Sequence, residues 1–157
     1  MQDLSILIAK QIRDAFFGGN WTSVNVKDTL ADVSWEESIQ EIPGYNTLAT
    51  LTFHVNYFLE AILMVLRENK LEANDKFSFD HPPIHSQGDW EALVNRLLTN
   101  AESFAAEVEK LPNERLTADF WQEKYGTMYY NIHGIIEHSH YHLGQMVFLK
   151  KMLREKE

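Results

Sequence analysis

Apolar residues recur three or four places apart through most of this chain, which is the spacing of helices buried along one face. From about Asp3 to Phe17 the repeating positions are Leu4, Leu7, Ile8, Ile12, Ala15 and Phe16, and Gly18-Gly19 closes the segment. A second long helix is expected from about Tyr45 to Asn69. A third should begin near Ser86 to Asp89, after Pro82-Pro83. Its stripe is Trp90, Leu93, Val94, Leu97, Leu98, Ala101, Phe104, Ala105 and Val108, with Pro112 marking its end. A fourth is expected from about Thr127 to Lys156. The stretch from Asn20 to Gly44 is too irregular for a long helix, but Ser34-Trp35-Glu36-Glu37 has the capping-box pattern and predicts a short helix starting at Ser34. No strand-like alternation competes. The expectation is an all-α, four-helix bundle in a single domain over 1-157. The connections at 70 to 86 and 112 to 126 are longer than ordinary bundle loops, so simple up-down hairpins are not assured.

Composition narrows the class. A chain of 157 residues with 45% apolar content can bury one well-formed core and is too hydrophobic for disorder. No uninterrupted apolar run approaches the ~20 residues of a membrane span. Met1-Gln2-Asp3-Leu4 has no basic region before its apolar residues, so no secretory signal is expected and the cytoplasm is the default compartment. The formal net charge of -9, with 14 scattered lysines and arginines, argues against nucleic acid as a partner. The densest basic patch, Lys150, Lys151, Arg154 and Lys156, sits where cations complement a helix C-terminus. The chain has no cysteine, which excludes disulfides and thiolate ligands.

The chemistry-bearing residues lie in Glu137-His138-Ser139-His140-Tyr141-His142-Leu143-Gly144-Gln145. At about 100° per residue, His138 and His142 fall some 40° apart on the face shared with Ile132, Ile135, Leu149 and Leu153. His140 points roughly opposite, near the direction of His133. Two imidazoles on neighbouring turns can bind one divalent metal, although most such pairs in helices simply hydrogen-bond. A third ligand is needed, and His54, at the edge of the second helix's apolar stripe, offers one. Glu137 points about 100° from His138 and makes a poor ligand. Gln145 could orient a ligand or be a buried structural amide. Tyr57 and Trp21 read as pocket or core aromatics, and His81 and His85 as solvated loop histidines.

These residues resemble the DinB/YfiT-like superfamily of metal-dependent enzymes. The early helix carries His54-Val55-Asn56-Tyr57, and the late helix carries an H-x3-H-x-G-Q motif in His138, His142, Gly144 and Gln145. Gly19-Asn20-Trp21-Thr22 and Lys124-Tyr125-Gly126-Thr127 are similar to a subgroup of the family. Many relatives have a histidine directly before the last ligand, where this chain has Tyr141. The resemblance implies an up-down-down-up bundle with a long crossover, and His54, His138 and His142 as the metal ligands. It also implies chemistry on a small molecule, in some members with a low-molecular-weight thiol. All-imidazole ligation suits zinc or nickel better than magnesium or calcium. The alternatives are a bundle that keeps metal for stability and a metal-free interaction protein. A homodimer is expected through the last helix, because Tyr130, Tyr141, Phe148 and Met152 extend its apolar surface beyond one core stripe. The competing explanation is that the segment from Asn20 to Gly44 covers that face.

Overall fold

The computed structural model describes residues 3–155. Its four long helices are α1 (Leu4–Phe17), α4 (Leu48–Glu68), α5 (Gln87–Glu109) and α7 (Met128–Arg154). Short helices α2 (Val26–Leu30), α3 (Trp35–Ile39) and α6 (Asn113–Thr117) sit in the connections. No strand occurs among the described residues. An isolated bridge between Asp119 and Thr127 closes the loop that leads into α7.

Each long helix after the first starts where a hydroxyl accepts from the first turn. Thr47, Ser86 and Thr127 accept from the amides of Thr50, Asp89 and Tyr130, so α4 begins at Leu48 and not at Tyr45 as the apolar pattern implied. The capping box expected at Ser34 is present: Ser34 Oγ accepts from Glu37 N, and Glu37 returns to Ser34 N. Helix α2 was not anticipated. Asn25 caps it, and Gly18, at φ +110°, allows the chain to turn there. A Cβ on Gly18 would stand 3.2 Å from Asn25 Nδ2.

The core runs through all four long helices, with Phe16, Leu51, Leu59, Trp90, Leu97, Phe104, Ile132 and Met146 fully buried. Helix α5 packs most extensively on α4 and α1, and α7 packs on α4. Polar contacts give the directions. Asn100 Nδ2 bonds Asn56 Oδ1 at 2.8 Å, Arg96 pairs with Glu60, and Glu107 with Arg67, so α4 and α5 run the same way. Parallel neighbours need a connection that travels the length of the bundle, and the 69–86 segment supplies it. Helix α4 is long and apolar enough on composition to cross a membrane, but most of it is buried as the central helix of the core.

The basic end of α7 does more than complement its own dipole. Lys150 bonds the Thr29 carbonyl and Asp32, while Arg154 bonds Asp32 and Glu37. The segment containing α2 and α3 is thereby tied to that flank of α7, and Asp32 is held down to about 2 by the two cations. It leaves Tyr130, Tyr141 and Phe148 exposed, so intrachain cover does not account for those residues. Trp21, expected in a core or pocket, is 100% exposed. Lys156 lies outside the described residues.

Candidate metal centre

His54 comes from the second turn of α4, and His138 and His142 from successive turns of α7. The distance between their ring centres is 4.9 Å for His54–His138, 4.7 Å for His54–His142 and 4.5 Å for His138–His142. One nitrogen from each lies within 4.8 Å of the other two, so the group could hold a divalent metal ion. The apolar pattern places His54 at the edge of its helix's buried stripe. It is buried, 7% exposed, with Ser78 and Phe79 of the crossover against its ring.

Neighbouring oxygens decide which nitrogen faces inward. His54 Nδ1 donates to the Ser78 carbonyl at 3.2 Å, and His142 Nδ1 donates to Gln145 Oε1 at 2.7 Å. A ring that donates from Nδ1 keeps its lone pair on Nε2, the form that binds a metal, and such outer partners fix ring orientation. His138 Nε2 lies 3.0 Å from His54 Nε2. Two ligands at zinc–imidazole distances in a tetrahedral arrangement stand about 3.3 Å apart, so this spacing needs little adjustment.

The cluster is unsatisfied without a cation. His138 Nδ1 is buried with no hydrogen-bond partner among the described residues. If Nδ1 carries the proton, two Nε2 lone pairs face each other across 3.0 Å. If Nε2 carries it, a buried acceptor is left bare, at about 1–3 kcal/mol. A metal held by His54, His138 and His142 would remove the lone-pair conflict and leave His138 Nδ1–H as the one unpartnered group of the three rings, and on that ground these residues fit the ion.

The electrostatics point the same way. Burial, reinforced by the charges of His142 and His54, pushes His138 down to about 4. Burial and then His142 push His54 below its ordinary value, against the Ser78 bond. Burial lowers His142, opposed by Gln145. Three imidazoles held neutral at physiological pH present lone pairs, not competing protons.

The surrounding walls are aromatic. Phe79 stacks on His54 at 4.0 Å between ring centres, Tyr141 meets His142 edge-on, and Phe58 meets both His54 and His138. The crossover is pinned there by Tyr57, whose hydroxyl bonds both the amide and the carbonyl of Asn74. Phe58 also borders a cavity of about 480 Å³ running along α4 and α7, lined in part by Ala61, Asp75, Tyr125 and Ile135. Another of similar size lies between α2 and the end of α7, and none of the three histidines lines either cavity.

The remaining sequence candidates lie elsewhere. His140 Nδ1 donates to the Ile136 carbonyl, and His133 pairs with the exposed Glu137. His81 and His85 take no part in the cluster. Ser78, Phe79 and Phe58 were missed by sequence reasoning. The one available signal was the length of the 70-to-86 connection, since long ordered loops are commonly functional.

Fold and cluster together define a helical bundle with a three-imidazole centre between facing helices. The chain belongs to the DinB superfamily, whose family model matches residues 21–146. No curated protein and no solved structure matches it.

Proposed function

We propose that this protein is a metal-dependent enzyme acting on a small molecule, by thiol transfer or hydrolysis, with His54, His138 and His142 holding zinc or nickel. The observation that carries this reading is the number of ligands. Among the described residues no fourth His, Asp or Glu joins the group, and the chain has no cysteine. Structural sites are usually closed by four protein ligands, whereas three leave a position for solvent or substrate. Three neutral ligands also leave the ion's charge undiminished. Such an ion lowers the pKa of a bound water or thiol, which supplies a nucleophile near neutral pH. Any thiol would come from a low-molecular-weight cosubstrate.

The chain's own residues perform the supporting tasks. Ser78 and Gln145 hold two rings in the binding tautomer. Phe58, Phe79 and Tyr141 restrict water around the rings, which strengthens electrostatic effects within the centre. The formal net charge of -9 fits a small-molecule substrate better than nucleic acid, and a cytoplasmic location would fit a thiol cosubstrate.

Cobalt substitution tests the reading. Cobalt(II) should bind the tag-free, metal-stripped protein at one equivalent, and adding 2-mercaptoethanol should produce a near-ultraviolet thiolate-to-cobalt band. His142→Ala should lose both signals while keeping its helical circular dichroism, because the apolar core carries the fold. Substoichiometric binding by the parent protein would overturn the proposal. Unfolding of His142→Ala under mild conditions would favour a structural metal instead.

A further inference from the structure

Helix α4 places Phe58 and Ala61 one and two turns beyond His54, on the same side of the helix. Helix α7 places Ile135 one turn before His138. All three line the cavity of about 480 Å³, which none of the three histidines lines; Phe58 separates the two, bordering the cavity and meeting the His54 and His138 rings at 5.1 and 5.0 Å between ring centres. Its volume falls in the range of small-molecule sites. The aromatic surfaces of Phe58, Phe120 and Tyr125 suit an apolar, ring-bearing body.

The charge around it is one-sided. Asp75 is the only ionisable carboxylate in the lining, and no lysine, arginine or histidine lines it. Asp75 is exposed, and its carboxylate makes no ion pair or hydrogen bond among the described residues; only its backbone carbonyl is engaged, by Ser78. It opens the turn that ends at Ser78, so it stands at the histidine end of the crossover. Asn131 commits its amide hydrogens to the Tyr125 and Thr127 carbonyls and leaves its oxygen as an acceptor. Lys124 and Lys76 lie over the Tyr125 and Phe77 rings and Arg115 bonds the Asp119 and Phe120 carbonyls, and none of the three is part of the lining.

We propose that this cavity is the substrate subsite, selecting a non-anionic compound with an apolar or aromatic body and a hydrogen-bond donor, an amine or alcohol, that meets Asp75. This rests on reading the histidine cluster as the reacting centre.

Three probes of one frame test it: 3-phenylpropylamine, 3-phenylpropan-1-ol and 3-phenylpropanoate, titrated into metal-free protein and followed by backbone amide NMR. The amine and alcohol should shift the Ala61, Tyr125 and Ile135 amides. The carboxylate should bind about tenfold more weakly than the amine, as a rim charge acting with opposite signs on the two probes implies. Ala61→Trp should abolish binding by filling the cavity. Asp75→Asn, an exposed change that spares the core, should bring amine and alcohol to within about twofold. Equal binding of carboxylate and amine, shifts confined to other residues, or an amine preference that survives Asp75→Asn would overturn the proposal. Zinc titration of the same samples reads the metal centre separately: probe selectivity without zinc binding upholds the cavity's preference and sinks the enzymatic reading.

Discussion

Replacing Gln145 with Leu should weaken metal binding without disturbing the fold. The change removes the oxygen that accepts from His142 Nδ1 at 2.7 Å and frees that ring to rotate or to carry its proton on Nε2. Loss of such an outer partner costs about 10–100-fold in metal affinity, equivalent to about 1.4–2.7 kcal/mol. The low end is expected here. Gln145 is neutral and half-buried, so water can replace part of the interaction. Leucine and glutamine are similarly good helix formers, and a substitution at this position leaves the core unchanged. Competition for zinc against a chromophoric chelator should therefore show about a tenfold loss, with an unaltered unfolding midpoint for the metal-free protein. Gln145→Glu should bind at least as tightly as the parent, because a carboxylate partner makes the ring more basic. A Gln145→Leu variant within twofold of the parent would refute the reasoning. So would equal losses in the Leu and Glu variants, which would mean that bulk at this position matters and the hydrogen bond does not.

The metal-free protein should lose stability on acidification. His138 is held at about 4 in the folded state against about 6.5 unfolded, so between those values the unfolded chain binds more protons and stability falls with pH. The urea midpoint should drop between pH 7.5 and 5.5, above the carboxylate range, and His138→Gln should flatten that slope; a flat parent profile would contradict the burial argument. We also expect a homodimer through the exposed Tyr130, Tyr141 and Phe148 of α7, at 71%, 65% and 55% exposure. Light scattering at micromolar concentration checks it, and a mass near 18.3 kDa would exclude the dimer.

The sequence by itself determined the elements. Helical periodicity placed four long helices, and the capping-box pattern marked the start of α3, because both signals depend on residues close in the chain. The same periodicity put His138 and His142 on one face. With the family motif, the sequence also named His54 as their partner, though no local pattern could bring α4 against α7. Tertiary structure alone made that juxtaposition, by packing α4 against α7. It supplied the Ser78 carbonyl that sets the His54 tautomer and laid Phe79 on the His54 ring. It also directed Lys150 and Arg154 to Asp32 and Glu37, a pairing across more than a hundred residues. The physical reason is range. Helix formation and capping are settled within a few residues, whereas burial, imidazole tautomers and the charge around a cavity depend on atoms contributed by distant segments.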